Sequence, residues 1–163
     1  MGFDTERRYF MMSKMYHVIT SGEFGLDVST DNPRVYTSRE DGSSWEERSL
    51  YDFGWGPEVG FVRLPMLGFE ELWELLEKSS IEDNRYGAAS VILKDFPDQL
   101  LSRAERLMHR RDTTHEVASA VAILRLGRAE NRSDPMGKPP EEVRSDYRRW
   151  SAVAIWARNL RKG

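Results

Sequence analysis

The spacing of apolar residues along the chain changes near residue 65. Before this point, short runs such as Trp45–Phe53 and Val59–Leu64 alternate between apolar and polar residues, and turn-forming residues separate them. This alternation predicts strands with one buried face. The Asp-Gly pair at 41–42 predicts a hairpin turn, because glycine adopts a positive φ angle at no steric cost. Residues 1–65 therefore predict a small antiparallel β-sheet of four or five strands, with a short helix over residues 4–14 before it.

Apolar residues recur at helical spacing after Pro65. One face of the first predicted helix is apolar, with Phe69, Leu72, Leu75 and Leu76, and the other is acidic, with Glu70, Glu74 and Glu77. Further helices are predicted over residues 84–94, 98–109, 113–127 and 140–160. The fourth helix begins with a match to the capping box, Thr113 with Glu116.

These patterns predict an α+β fold. A small antiparallel β-sheet, in the N-terminal half, packs in this prediction with a C-terminal stack of helical hairpins. A length of 163 residues is typical of one domain. We therefore expect residues 1–163 to form a single domain, with a mainly β part over residues 1–65 and an α-helical repeat part over residues 66–163.

An internal repeat lies within three of the predicted helices. Ser119–Leu124 recurs 32 residues later as Ser151–Trp156, and a weaker copy, Ala88–Leu93, lies 31 residues earlier. Each copy is apolar nearly all round, which predicts helices that are buried on both sides. A period in the thirties is typical of stacked helical hairpins.

On this repeat, residues 67–160 resemble the helix-pair repeats of HEAT-like α-solenoid proteins. The overall build is similar to that of small bacterial toxin-immunity proteins, which block one partner with a charged patch. Both resemblances imply that the chain recognises another protein.

Charge is divided unevenly along the chain. Residues 1–100 hold 19 acidic and 10 basic side chains, whereas residues 101–163 hold 8 acidic and 14 basic ones. Such asymmetry is typical of a partner surface. The alternative is that the two halves neutralise each other.

Catalytic and metal-binding patterns are lacking in the sequence. The chain has no cysteine, no G-x-S-x-G motif and no phosphate-binding glycine loop. His109 and His115 lie six residues apart, and the second histidine of an HExxH motif is replaced by Ser119. We therefore expect no catalytic residue, no metal site and no cofactor.

Basic residues in two predicted helices form the one pattern that favours nucleic acid, with Arg103, Arg106, Arg110, Arg144, Arg148 and Arg149. A dedicated nucleic-acid binder is usually strongly basic. The isoelectric point of about 5.7 makes a solvated basic face the preferred interpretation.

The candidate binding residues are aromatic and acidic, and all lie in the N-terminal half: Trp45, Tyr51, Phe53, Trp55, Glu70, Glu74 and Glu77. Interfaces combine apolar contacts at the centre with charged residues at the rim, and binding hot spots are enriched in Trp and Tyr. An acidic rim predicts a basic protein partner.

The sequence thus predicts a non-enzymatic protein-binding module, of the immunity or inhibitor type, that neutralises a basic partner such as a toxin. Two alternatives stay open: an enzyme with a carboxylate and arginine pocket between sheet and helices, and a weak nucleic-acid binder that uses the basic C-terminal helices. No apolar run approaches the length of a membrane span, and we expect a cytoplasmic protein without membrane contact.

Overall fold

The computed structural model describes residues 6–11, 13–14, 17–18, 20–52 and 57–160. The chain divides into two compact units, Met1–Ser90 and Val91–Gly163, and each is described by itself. Strands occupy the N-terminal half and helices the C-terminal half, which confirms the α+β class. The expectation of a single domain stays a prediction.

The N-terminal unit contains a five-stranded antiparallel sheet and a separate two-stranded pair. The strands are β1 (Tyr9–Met11), β2 (Ser13–Lys14), β3 (His17–Val18), β4 (Leu26–Val28), β5 (Val35–Ser38), β6 (Ser44–Asp52) and β7 (Pro57–Arg63). Their order in the large sheet is β1-β7-β6-β5-β4, and β2 pairs with β3. A short 3-10 helix, Ser21–Phe24, precedes β4.

The hairpin between β5 and β6 forms as the Asp-Gly pair predicts. Gly42 has a φ angle of 71°, and the Asp41 carboxylate accepts a hydrogen bond from the Ser43 amide at 2.9 Å. These two features fix the register in which Tyr36 lies opposite Trp45.

The predicted helix over residues 4–14 is wrong where the structure describes this segment, because Tyr9–Met11 is a strand. Tyr9 and Met11 are buried and Phe10 between them is half-buried, which is the two-residue period of a strand. One edge of β1 pairs with β7. Side chains of the second helix bind the backbone amides of Arg8, Tyr9 and Met11, and these contacts override the local preference for helix.

Two helices complete the N-terminal part of the chain, α1 (Phe69–Lys78) and α2 (Glu82–Asp95), and α2 continues past the boundary between the units. Helix α1 buries the apolar face that its spacing predicts, Phe69, Leu72, Leu75 and Leu76, and it also buries Trp73. Asn84 of α2 is fully buried and accepts the amides of Arg8 and Tyr9 at 2.7 and 3.2 Å.

The C-terminal unit contains α3 (Pro97–Arg110), α4 (His115–Ile123) and α5 (Pro140–Leu160). Helix α5 packs against both α3 and α4. A bidentate ion pair joins α5 to α3: the Arg149 guanidinium donates to both carboxylate oxygens of Glu105, at 2.8 and 2.7 Å.

Helix α4 begins one residue later than the capping-box pattern predicts. Thr114 is the N-cap residue, and its hydroxyl accepts the Val117 amide at 3.4 Å. The helix ends at Ile123, before the predicted end near residue 127, because Arg125 adopts a left-handed conformation with a φ angle of 53°.

Burial of the three repeat segments is uneven. Ala89 and Ala154 are buried and Ala122 is half-buried. In the third copy, however, Ala152 is exposed and Ile155 has 56% of its surface exposed. The prediction that every copy is buried on both sides is therefore wrong for the segment within α5.

Helix α3 ends on an arginine in a conformation that favours glycine. Arg111 has a φ angle of 52°, and the amides of Arg111 and Asp112 bind the carbonyls of Met108 and Leu107 at 3.1 and 3.0 Å. We expect Arg111→Gly to raise the free energy of unfolding by about 1 kcal/mol, because glycine adopts this conformation without strain. Urea denaturation of the purified variant measures the change.

Arg110 is the matched control for this substitution. It is the last residue of α3 and has a helical backbone, so Arg110→Gly should lower the stability by about 1 kcal/mol. If Arg111→Gly and Arg110→Gly shift the urea midpoint in the same direction, this interpretation of the Arg111 backbone is wrong.

Candidate functional site

The N-terminal unit contains a cavity of about 670 Å³. Side chains from β1 and the residues before it, from the 3-10 helix, from the β5–β6 hairpin, from the end of β7 and from the start of α2 line it. The lining residues are Glu6, Arg7, Phe10, Glu23, Phe24, Ser38, Glu40, Asp41, Trp45, Arg63 and Asp83. We refer to this space as the acidic cavity.

Three aromatic rings form an apolar wall of the acidic cavity. Phe10 stacks on Phe24 with ring centroids 4.3 Å apart, and it lies 4.8 Å from the Trp45 ring. Phe10 faces the cavity because successive side chains of a strand point to opposite faces, and its neighbours Tyr9 and Met11 are buried in the core. The indole N–H of Trp45 donates to the Ser43 hydroxyl at 2.8 Å, so the ring is held in place.

Both arginines of the acidic cavity are paired with carboxylates of the same cavity. Arg7 lies 3.1 Å from the Asp83 carboxylate and 4.9 Å from the centre of the Phe10 ring. Arg63 binds Glu6 at 3.1 Å and Asp41 at 3.4 Å. The positive charges of the cavity are therefore neutralised within it.

The remaining carboxylates leave an excess of negative charge. Five acidic residues line the cavity and only two basic ones. One Glu23 oxygen accepts the Thr20 amide at 2.7 Å, whereas Glu40 forms no ion pair with any residue that the structure describes. Both side chains are exposed at the rim.

Hydrogen bonds keep the Asp41 carboxylate ionised. The Ser43 hydroxyl and then the Ser43 backbone amide lower the pKa of Asp41 below its ordinary value, and the nearby Arg63 guanidinium adds to the effect. A carboxyl group with a lowered pKa is a poor general acid at neutral pH. It is well suited to hold a cation.

The structure places the predicted aromatic residues in two settings. Trp45 and Tyr51 are buried, with 3% and 6% of their surfaces exposed. Trp45 forms part of the acidic cavity, and Tyr51 packs edge-on against Tyr86 at 4.9 Å. Phe53 and Trp55 lie outside the described residues.

The predicted acidic residues of α1 do not line the cavity. Glu70 and Glu74 are exposed, and Glu74 forms an ion pair with Lys78 at 3.4 Å. Glu77 is half-buried and accepts the indole N–H of Trp73 at 2.9 Å. Of the seven predicted residues, the cavity thus contains Trp45 alone among those that the structure describes.

Sequence reasoning missed the carboxylates that surround Trp45. Glu6, Glu23, Glu40, Asp41 and Asp83 come from four separate segments and follow no common spacing. The excess of acidic residues over the first hundred positions was the only signal in the sequence, and it does not indicate which of them converge.

We find no match to this chain among family models, curated proteins or solved structures. Within the described residues, no three His, Asp or Glu side chains lie close enough together to hold a metal ion. None of the described helices is both long enough and apolar enough to cross a membrane.

Proposed function

We propose that the protein is a non-enzymatic binding module whose N-terminal unit captures a basic protein partner in the acidic cavity. The observation that carries this proposal is the composition of the cavity wall, in which five carboxylates outnumber two arginines beside three aromatic rings. Because both arginines are already paired, the net negative charge is left for a partner.

An arginine or lysine side chain of the partner fits this chemistry. Its cationic head binds carboxylates, and its face or methylene stem packs on aromatic rings. The cavity already contains one such contact, because the Arg7 guanidinium lies over the Phe10 ring. A volume of about 670 Å³ is within the range of sites that enclose a ligand of this size.

Charge across the whole N-terminal unit favours the same partner. Residues 1–90 carry 17 acidic and 9 basic side chains. An acidic surface of this kind accelerates association with a basic protein and opposes association with an acidic one. The biological role that suits this arrangement is inhibition of a basic partner, such as a toxin.

A double substitution, Glu23→Gln with Glu40→Gln, tests the acidic cavity. Glutamine has the shape of glutamate, and at position 23 it keeps an oxygen that accepts the Thr20 amide. The double substitution removes two negative charges. We expect the dissociation constant for an unstructured peptide with four arginines to rise about tenfold, mainly through slower association. Fluorescence anisotropy at several salt concentrations measures both the affinity and its salt dependence.

Glu70→Gln with Glu74→Gln is the matched control, because it removes the same charge from the exposed face of α1. We expect less than a twofold effect from it. A larger effect from the α1 pair than from the cavity pair would place the partner surface on α1 and refute the proposed site. Affinity capture from the source cell with the same variants then identifies the natural partner.

The enzyme alternative has one observation in its favour, because the cavity does hold carboxylates and arginines together. Their mutual ion pairs and the lowered pKa of Asp41 favour binding over acid–base chemistry. Incubation with small organic cations, followed by mass spectrometry, separates the two functions. Turnover of a cation that depends on Asp41 or Asp83 would establish the enzyme.

A further inference from the structure

One face of α5 is exposed at positions that are buried in the other copies of the repeat. Ala152 and Ile155 correspond to Ala89 and Ile92 in the first copy and to Ala120 and Ile123 in the second. The four earlier residues are buried, whereas Ala152 is exposed and Ile155 is 56% exposed. Helix α5 therefore has the composition of a packed helix, but no described element covers this face.

Tyr147 extends this exposed strip by two turns towards the start of α5. It has 50% of its surface exposed. Residues 147, 151 and 155 are spaced four apart, so they lie on one side of the helix. The small residues Ser151 and Ala152 separate the two large side chains and allow close approach of another helix. We call Tyr147, Ser151, Ala152 and Ile155 the α5 strip.

Unpaired arginines lie on the same face of α5 as the strip, because Arg144 and Arg158 are each seven residues from Ser151 and Arg148 is seven residues before Ile155. Arg144 donates only to the Pro140 carbonyl, at 3.3 Å. Arg144, Arg148 and Arg158 form no ion pair within the part of the chain that the structure describes. In contrast, Arg149, which faces α3, binds both oxygens of Glu105. A helix face that combines apolar and basic side chains calls for an occupant that carries both apolar and acidic side chains.

We propose that the α5 strip docks an amphipathic acidic helix of another protein. The docked helix adds the layer that the repeat composition of α5 requires, because terminal helices of repeat stacks otherwise present a polar outer face. Its acidic side chains neutralise Arg144, Arg148 and Arg158. This site is separate from the acidic cavity and binds a partner of opposite charge.

Charge excludes the other occupants. A second copy of this chain, paired antiparallel about Ser151, would bring Arg144 of one helix opposite Arg158 of the other, and like charges at these positions repel. Nucleic acid would bind the arginines, but it would leave Ala152 and Ile155 against a charged backbone.

A pair of designed 20-residue peptides tests the proposal. Both peptides carry leucines at heptad spacing. The charged residues are all glutamates in one peptide and all lysines in the other. We expect the glutamate peptide to bind the full-length protein saturably at the α5 strip, and we expect the lysine peptide not to bind at the α5 strip. Resonances of Tyr147, Ser151 and Ile155 should shift in ¹⁵N–¹H correlation spectra, with those of the N-terminal unit unchanged.

Three variants locate the site. Ile155→Ser and the pair Arg144→Gln with Arg148→Gln should each weaken binding of the glutamate peptide at least about tenfold. The control is Met136→Ser, which removes a more exposed apolar side chain outside α5 and should change nothing. Equal binding by Ile155→Ser, or no saturable binding of the glutamate peptide by the wild type, overturns the proposal.

Two further outcomes would replace the proposed occupant by another. A concentration-dependent dimer in analytical ultracentrifugation that Ile155→Ser dissociates would show that a second copy covers the strip. Tighter binding of an oligothymidylate than of the glutamate peptide, lost in the arginine pair, would show that nucleic acid does. Neither outcome bears on the acidic cavity, which is tested with the arginine peptide.

Discussion

Replacement of Asn84 by leucine is expected to destabilise the N-terminal unit by about 3–5 kcal/mol. The Asn84 side chain is fully buried. Its oxygen accepts the amides of Arg8 and Tyr9, and its nitrogen donates to the Glu6 carbonyl at 2.9 Å and to the Ser79 hydroxyl at 3.3 Å. Leucine has nearly the same volume but leaves these backbone groups without a partner in the protein interior.

Chemical denaturation, followed by tryptophan fluorescence, measures this effect. Asn32→Leu is the control, since Asn32 is exposed and accepts one amide, that of Arg34, at 3.0 Å. We expect the control to change the free energy of unfolding by less than about 1 kcal/mol. A similar midpoint for both variants would mean that β1 does not depend on the Asn84 side chain.

Replacement of Gly87 by alanine is expected to lower stability by about 2–3 kcal/mol. Glycine within a helix normally costs about 1 kcal/mol relative to alanine, so this substitution would stabilise most helices. At Gly87, however, an added Cβ would overlap three atoms of the Tyr9 side chain. Tyr9 is 1% exposed, so its ring cannot avoid the overlap without displacing other atoms of the protein interior.

The second substitution in this test is Tyr9→Ala. Alanine lacks the Cγ and Cδ1 atoms of Tyr9 that the added Cβ would overlap, so Gly87→Ala should cost less in the Tyr9→Ala background than in the wild type. Gly22→Ala serves as a neutral control, because its added Cβ would meet only the Thr20 hydroxyl at 3.9 Å. If the effects of the substitutions at Gly87 and Tyr9 on the free energy of unfolding are additive, the two side chains do not collide.

Local patterns in the sequence are sufficient to predict most of the regular elements. The alternating runs became β6 and β7, and the helix predicted over residues 140–160 has these limits in the structure. Each of these elements is long enough for its own period to determine it. Strand β1 is only three residues long, and it was predicted as part of a helix because its hydrogen-bond partners lie in β7 and α2.

The candidate site was predicted less completely, for a related reason. Trp45 lies in the cavity as part of an alternating strand, and its burial follows from that pattern. Glu6 and Asp83 reach the same cavity only because β1 and α2 come together, which no local spacing encodes. Likewise, the segments Ser119–Leu124 and Ser151–Trp156 are nearly identical in sequence but differ in exposure, because burial depends on neighbouring helices.

The attachment of β1 to Asn84 has a consequence for the order in which the protein forms during synthesis. The hydrogen bonds from Arg8 and Tyr9 span 76 and 75 residues, and β1 pairs with β7 across a shorter gap, with Tyr9 opposite Val62. A nascent chain cannot make the contacts with Asn84 until residue 84 has been translated and has left the ribosome. Closure of so long a loop is slow. The hairpins of β4, β5 and β6 are available earlier, so we expect the first strand of the large sheet to be the last strand to enter it.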